Sequence, residues 1–205
     1  MGAKKSKFTE KVPVFYNNLK LTEKKIWNSL NEGVTNRKSF FHTPVLGTLD
    51  LNNNVKIRTL VLREVNRKKL TLRFHTDIRS KKIKEIQNHS ASALHIYDPI
   101  QKIQVQINGT SRLYRNKNYI DKIWEKMTVS SKACYRLIAN PGDAIKYIND
   151  ANYPSSCDPF EGKKNFSILC FKIENIEWLY LSSSGHRRSF YDYSGRLVKS
   201  GWLAP

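Results

Sequence analysis

Four short apolar runs separated by polar turns, all between residues 55 and 108, constrain the fold of this 205-residue chain more than any other feature. They are predicted as strands and cover residues 55–65, 70–76, 92–97 and 102–108. In the second run Leu70, Leu72 and Phe74 share one face by the two-residue repeat of a strand. The basic turn Arg79–Lys82 follows that run and opens a predicted helix that extends to about Gln87. A strand end, a serine and basic side chains at a helix N-terminus together favour the binding of a phosphate group.

The rest of the chain predicts further strands, with helices in the connections. Helices are expected at 23–31, with Thr22 as N-cap and Gly33 as C-terminal stop, and at 118–127 and 143–149. Strands are expected at 43–51, 166–173, 177–182, 188–193 and 201–203, and residues 152–164 read as a loop. The run 56–64 should pair antiparallel with 43–51 on one side and with 70–76 on the other. Many strands at short spacing favour a mostly antiparallel β-barrel with helices, an α+β fold, over a doubly wound sheet.

Residues 1–20 are expected to form a basic N-terminal tail or arm, and residues 21–205 a single domain. The opening Met-Gly-Ala-Lys-Lys-Ser also fits an N-myristoylation pattern at Gly2, with a disordered basic tail or a cloning scar as the alternatives. The three cysteines, Cys134, Cys157 and Cys170, show no CxxC spacing, and the histidines form no metal-binding set. We therefore expect no metal site or disulfide framework, and a cytoplasmic protein.

The net charge of +19, from 36 basic and 17 acidic residues, favours anionic partners. Between Lys56 and Lys84 there are eleven Lys or Arg residues and two acidic ones. The residues between those charges are mainly Leu, Val and Ile, whereas nucleic-acid-binding sheets usually expose aromatic rings for base stacking. Nucleic acid is therefore an unlikely partner. A membrane span is not expected either, because no apolar run approaches the ~20 residues that one needs.

Three internal motifs and the C-terminal sequence carry a family resemblance. The motifs are Arg58-Thr-Leu-Val-Leu-Arg63, Phe74-His-Thr-Asp-Ile-Arg-Ser-Lys-Lys82 and Gln104-Val-Gln-Ile-Asn-Gly109, and the ending combines Ile176-Glu-Trp178, His186-Arg-Arg188 and Trp202-Leu-Ala-Pro205. In this order, over roughly residues 40 to 205, they resemble the FMN-binding pyridoxamine 5′-phosphate oxidase family. The resemblance implies an FMN-binding split barrel that forms a homodimer, with FMN between the two subunits.

The resemblance also implies roles for individual residues. Arg58 would bind the FMN phosphate through its forked guanidinium group. The remaining cofactor contacts would come from Thr59, Leu60, Val61, Leu62, Arg63, His75, Thr76, Arg79, Ser80, Lys81, Lys82, Gln104, Trp178 and Arg188. His186 and Arg187 would contact the substrate over the flavin, as the catalytic pair. Taken singly, Arg58 and Arg63 could be solvated strand residues, His75 a hydrogen-bonded strand residue, and Gln104 a residue facing water.

The chain departs from the oxidases proper at several positions. Arg63 stands where they clamp the substrate phosphate with lysine, and Ser184 stands where they have arginine. Their Tyr, Arg and Ser group cannot be placed between residues 116 and 136. The leading interpretation is an FMN-dependent oxidoreductase that transfers hydride from a small-molecule substrate to the flavin, with a phosphorylated substrate as one option. The alternatives are a flavin reductase or carrier that uses NAD(P)H or a redox partner, and a basic nucleic-acid-binding barrel without cofactor.

Overall fold

The fold is known from a computed structural model, which describes residues 13–153, 158 and 160–205. The helices of the described residues are α1 (Leu19–Thr35), α2 (Lys81–Asn88), α3 (Lys117–Glu125) and α4 (Val129–Ala133). The strands are β1 (Val45–Leu49), β2 (Val55–Thr59), β3 (Leu62–Asn66), β4 (Thr71–Asp77), β5 (Ala91–Asp98), β6 (Ile103–Leu113), β7 (Phe166–Tyr180), β8 (Arg187–Asp192) and β9 (Lys199–Leu203). Short 3₁₀ turns occupy Phe40–His42, Cys134–Arg136, Ile148–Ala151 and Lys163–Asn165.

The strands form one antiparallel sheet that forks at β7. The main path runs β2-β1-β5-β6-β7-β4-β3, and β8 and β9 continue from β7 in a second branch. Residues Phe166–Lys172 of β7 pair with β4, whereas Asn175–Tyr180 pair with β8. The path does not close into a complete barrel. The expected antiparallel β architecture with helices in the connections is confirmed.

The main core lies on the inner face of the sheet, where the two-residue repeat of each strand directs its apolar side chains. Leu62, Phe74, Val105, Ile107 and Phe171 are fully buried there, and Ile26, Trp27 and Leu30 of α1 join the same cluster. A second, smaller cluster lies on the other face of β4 and β7, where Trp124 of α3 packs with Tyr135, Phe166 and Ile168. Helix α3 therefore covers one part of the outer face.

The predicted strand 55–65 is wrong as a single element. It forms β2 and β3, which are interrupted at Leu60 and Val61; β2 pairs with β1, and β3 pairs with β4. The expected partners are thus correct, but they belong to two separate strands. The reverse occurs at 166–180, where two expected strands form one continuous β7 of 15 residues.

Helix α1 is longer than the predicted 23–31. It begins at Leu19, with Asn18 as N-cap: the Asn18 Oδ1 atom accepts a hydrogen bond of 3.0 Å from the Leu21 amide. Thr22 lies within the helix, and its hydroxyl donates to the Phe15 carbonyl at 2.8 Å. Gly33 also lies within the helix and does not end it. A Cβ atom at this position would come within 2.6 Å of the Phe41 backbone, so the close approach requires glycine. The helix predicted at 143–149 is absent, and that segment has only the 3₁₀ turn Ile148–Ala151.

Part of the N-terminal prediction falls outside the described residues, which exclude Gly2 and the rest of residues 1–12, as well as Cys157. No helix in the described ranges has the length and apolar character needed to cross a membrane. The described side chains also contain no cluster of three or more His, Cys, Asp and Glu that could hold a metal ion.

Candidate functional site

Four of the predicted cofactor-binding residues meet at the N-terminus of α2, and we call Arg58, Thr76, Ser80 and Lys82 the α2 cradle. The Lys82 Nζ atom lies 2.8 Å from Ser80 Oγ and 3.4 Å from Thr76 Oγ1. Burial, followed by the nearby charge of Arg58, lowers the pKa of Lys82. Ser80 is the N-cap residue of α2, but its hydroxyl donates to the Asp77 carbonyl at 2.6 Å instead of capping the helix. The cradle therefore combines two basic side chains with an uncapped helix N-terminus, an arrangement that suits an anion.

Arg58 has a counterion inside the protein. Its Nη2 atom lies 2.5 Å from Glu85 Oε2, and its Nη1 atom donates to the Thr48 hydroxyl. Thr48 in turn donates to Glu85 at 2.6 Å. The Arg58 and Glu85 side chains are only 21% and 8% exposed, so this pair is largely shielded from water. The pair fixes the guanidinium group beside α2.

Arg79 and Lys81, which were predicted in the same cluster, are directed elsewhere. The Arg79 guanidinium group binds Asp77 at 2.7 Å and donates to the carbonyl oxygens of Leu137 and Ile138 at 2.9 and 3.2 Å. The hydrogen bond to Asp77 raises the pKa of Arg79. Lys81 is exposed, and its side chain runs beside Gly142. Arg79 thus anchors the segment after α4 to the turn before α2.

His75 and Arg63 lie on the opposite face of the sheet from Thr76, because neighbouring residues of β4 alternate in direction. The His75 ring meets Phe166 edge-on, with 5.1 Å between ring centroids. Neither ring nitrogen has a hydrogen-bond partner among the described residues. Burial, followed by the charges of Arg63 and Arg73, lowers the pKa of His75 to about 3. His75 is therefore a neutral, half-buried side chain on the helix-covered face, with both ring nitrogens shielded from water.

A second group of predicted residues lies on the uncovered outer face of the sheet. Gln104, Leu179 and Arg188 stand directly opposite one another on β6, β7 and β8, so their side chains form one row across three strands. The Arg188 guanidinium group is held by Glu177 Oε2, at 3.1 Å from Nε and 2.6 Å from Nη2. We call this surface, which also includes Thr59 of β2, the open face. It presents an amide and a guanidinium group in a fixed row.

A cavity of about 330 Å³ lies at the end of that row, lined by Asn17, His186, Arg187, Arg188, Trp202, Leu203 and Pro205. The His186 Nδ1 atom accepts a hydrogen bond of 3.0 Å from the Ser182 amide. The ring proton therefore lies on Nε2, which is free to donate to a ligand.

The N-terminal segment holds the cavity in place. The Arg187 Nε atom donates to Asn17 Oδ1 at 2.9 Å, and its guanidinium group stacks 4.6 Å from the centre of the Tyr16 ring. The Tyr16 hydroxyl also donates to the Gly185 carbonyl. Residues 16 and 17 thus position the catalytic candidates. The sequence did not predict this role, because the two segments lie about 170 residues apart.

Trp178 is not brought together with the other predicted cofactor residues. It is 1% exposed within the main core, where its ring lies parallel to Tyr180 and edge-on to Phe15. Leu60 and Leu62 also point into the core, so only their backbone could meet a cofactor. On β7 it is the neighbouring Leu179 that faces the open side. The sequence also gave no signal for Glu85, Arg73 or Glu177, whose roles depend on pairing across elements.

The two groups of predicted residues lie on different parts of the sheet. In the sheet, β2 with Arg58 and β8 with Arg188 are separated by five strand spacings, or roughly 24 Å along the sheet at ~4.8 Å each. No hydrogen bond or salt bridge between described residues joins the α2 cradle to the cavity at His186. The chain therefore carries two separate candidate sites.

A forked antiparallel sheet of this kind defines the split-barrel class of proteins. Residues 24–115 match the family model described as "Pyridoxamine 5'-phosphate oxidase, FMN-binding domain". This match to the pyridoxamine 5′-phosphate oxidase-like FMN-binding domains agrees with the resemblance that the sequence motifs predicted. No curated protein matches the sequence.

Two solved structures share the fold over nearly the whole chain. One is a pyridoxamine 5′-phosphate oxidase-related, FMN-binding protein from Nostoc punctiforme PCC 73102, with a TM-score of 0.73, 23% identity, and coverage of 89% of this chain and 96% of that chain. The other is PhzG from Burkholderia lata 383 in complex with tetrahydrophenazine-1-carboxylic acid, with a TM-score of 0.73, 17% identity, and coverage of 96% and 98%. At these identities the likeness establishes the fold.

Proposed function

We propose that this protein is an FMN-dependent oxidoreductase that acts on a small-molecule substrate and works as a homodimer. The family match supports a flavin, and the α2 cradle supports a place for its phosphate. The observation that carries the proposal is that one chain has two separate candidate sites, a cradle for an anion and a cavity with His186.

The residues present fit FMN. Ser80, Lys82 and the α2 N-terminus would bind the phosphate, with Arg58 as a forked donor whose charge is shared with Glu85. Gln104 and Arg188 on the open face offer donors for the edge of the flavin ring, and the backbone of residues 59–62 would contact the ring and ribityl chain. When bound, FMN supplies the capacity to accept a hydride from an organic substrate.

A second copy of the chain would complete the site. The outer face of β2 exposes Val55 and Ile57 at 72% and 71%, which is unusual for branched apolar residues on neighbouring positions of a strand face. Beside them lies a shallow cavity of about 370 Å³ lined by small residues that include Gly47, Ala91 and Ala93. Two such faces in contact would bury the apolar residues and bring the cradle of one subunit to the cavity of the other.

His186 and Arg187 would orient the substrate. The His186 Nε2–H group points away from the backbone contact of Nδ1 and can donate to an electronegative atom of the substrate. Asn17 and Tyr16 hold the Arg187 guanidinium group in place. Its Nη2 atom can therefore bind an acceptor of the substrate without reorganisation. Arg63 and Ser184 replace residues that the oxidases use, which favours a substrate other than pyridoxamine 5′-phosphate.

The visible absorption spectrum of the purified protein, with FMN added if it is colourless, tests the proposal. Bands near ~370 and ~450 nm would come from bound oxidised flavin. Anaerobic addition of pyridoxamine 5′-phosphate or of NAD(P)H then separates an oxidase-type enzyme from a flavin reductase, since the reacting donor bleaches the bands. His186→Ala should keep the flavin bands and slow bleaching by the substrate. A protein that neither contains nor binds FMN would refute the proposal and favour the nucleic-acid alternative.

A further inference from the structure

One long loop exposes several large apolar or aromatic side chains. Residues 136–161 form this loop, and its two ends meet where the Asn165 Nδ2 atom donates to the Tyr135 carbonyl at 2.8 Å. Loops of more than ~12–15 residues are uncommon in compact domains and are mostly functional. In the described part of the loop, the Tyr147 and Ile148 side chains are 61% and 81% exposed. Neighbouring apolar groups of such exposure usually mark a surface that another molecule covers.

The first part of the 136–161 loop lies beside the α2 cradle. The Arg79 guanidinium group donates to the carbonyl oxygens of Leu137 and Ile138, at 2.9 and 3.2 Å. Further along, Gly142 lies beside the first residue of α2. Beyond this anchor, the hydrogen bonds of residues 143–153 to other described residues stay within the loop. The exposed part of the loop is therefore carried next to the proposed phosphate site on a fixed base.

An apolar surface that such a loop could cover borders the His186 cavity. Trp202 and Leu203 of β9 line this cavity, and both side chains are exposed, Trp202 by 42%. Strand β9 lies at an edge of the sheet, because it pairs with β8 alone among the described strands. The opening of the cavity thus lies beside an uncovered apolar strip, of the kind that usually meets a partner surface.

The loop and the cavity lie too far apart in one chain for the loop to cover it. The anchor lies beside Phe166, the first residue of β7, whereas the cavity lies beyond Tyr180, the last. A strand of this length extends over roughly 45 Å at ~3.3 Å per residue. From Gly142 to Ile148 even a fully extended chain spans at most about 20 Å. A His186 cavity covered by Tyr147 and Ile148 therefore belongs to a second copy of the chain.

We propose that the 136–161 loop of one subunit covers the His186 cavity of the partner subunit, with Tyr147 and Ile148 packed on the apolar strip beside that cavity. This inference rests on the proposed homodimer, which brings the α2 cradle of one subunit, and the loop beside it, to the cavity of the other. Neither cavity is then complete in a single chain. The cover would exclude water from the place where the substrate meets the flavin.

Iodide quenching of tryptophan fluorescence tests the cover without any measurement of activity. All four tryptophans lie in the described part of the chain, and Trp202 alone is exposed. The other three are each 1% exposed: Trp27, Trp124 and Trp178. At equal FMN content, Tyr147→Ser/Ile148→Ser should raise the quenching constant to that of monomeric Ile57→Lys, because both changes uncover Trp202. Leu51→Ser, which removes an apolar side chain of similar exposure from the turn before β2, is the matched control and should leave the constant unchanged.

A disulfide shows which chain the loop covers. In a background with Cys134→Ser and Cys157→Ser, Ile148→Cys and Leu203→Cys are coexpressed on two chains with tags of different length. Oxidation should join the two different chains on a non-reducing gel, whereas Leu51→Cys with Leu203→Cys should leave them separate. If Ile148→Cys/Leu203→Cys on one chain gives an intrachain disulfide and no covalent dimer, the loop covers its own cavity and the inference is wrong.

Sedimentation and the flavin spectrum separate this inference from the proposed function. A dimeric protein with bound FMN, in which Trp202 is as accessible to iodide as in monomeric Ile57→Lys, would overturn the cover and leave the proposed function standing. Unchanged quenching in Tyr147→Ser/Ile148→Ser would overturn it as well. A monomeric protein without FMN would refute the proposed function and the cover together.

Discussion

The contact between Arg58 and Glu85 leads to the sharpest prediction. Arg58→Met removes the cation and leaves the Glu85 carboxylate, only 8% exposed, with the Thr48 hydroxyl as its remaining partner. Removing one member of a buried pair typically costs 3–5 kcal/mol, and we expect about 2–3 kcal/mol here because Arg58 is partly exposed and Thr48 still donates. For a chain of this size that corresponds to a fall in Tm of about 4–12 °C, at roughly 2–4 °C per kcal/mol.

The double variant Arg58→Met/Glu85→Gln distinguishes this structural cost from the role in cofactor binding. Glu85→Gln removes the unpaired charge, so the double variant should recover half or more of the lost Tm in differential scanning fluorimetry. Its affinity for FMN should stay reduced by about ten- to a hundredfold, since the loss of one charge-assisted hydrogen bond costs roughly 1.5–3 kcal/mol. Identical Tm values for the single and double variants would refute the coupling. FMN affinity equal to that of the unaltered protein in both would refute the role of Arg58 in the cradle.

Three further predictions concern separate parts of the molecule. Because the pKa of His75 is lowered from 6.5 to about 3 in the folded chain, the unfolded state binds more protons between these values. The free energy of unfolding should therefore fall as pH drops from 6.5, by up to about 1.4 kcal/mol per pH unit. Urea titrations at several pH values should show that this free energy depends less on pH in His75→Gln. A Cβ atom on Gly109 would lie 1.9 Å from the Lys172 carbonyl oxygen, whereas one on Gly195 would make an ordinary 3.5 Å contact. Gly109→Ala should therefore lower the free energy of unfolding by about 1–3 kcal/mol or more. Gly195→Ala is the control and should leave thermal unfolding nearly unchanged. Ile57→Lys should convert the proposed dimer to monomer in analytical ultracentrifugation and reduce FMN binding; a dimer of unchanged affinity would remove β2 from the interface.

Local patterns in the sequence predicted the elements that have strong local signals. The alternation of Leu70, Leu72 and Phe74 gave β4, and the basic turn before α2 gave the helix start. The division of residues 55–65 was not predictable in this way, because Leu60 and Val61 are as apolar as their neighbours. The strand breaks there because its two parts pair with different strands, which is a property of the whole sheet.

The same reasoning explains the outcome for the candidate site. The order of the motifs predicted that Arg58, Ser80 and Lys82 lie in one site, and all three lie at the start of α2. It could not show that Arg79 turns to Asp77 and Leu137, since that depends on where the segment after α4 lies. Nor could it show that the Trp178 ring faces the core: strand parity decides this, and the parity of β7 is set by its pairing with β6 and β8.

The contacts between the two ends of the chain have a consequence for how the molecule reaches its native state. Tyr16 binds Gly185, Leu19 binds Tyr191, and Trp27 binds Tyr193, over sequence separations of 169, 172 and 166 residues. Such distant contacts raise the contact order, and high contact order slows folding because loop-closure entropy is lost before the contact forms. During synthesis the first helix therefore remains without these partners until β8 and the residues up to Tyr193 have been added. The contacts that hold the His186 cavity therefore form only after β8 has been made, whereas α1 can pack on β3 and Phe41 earlier.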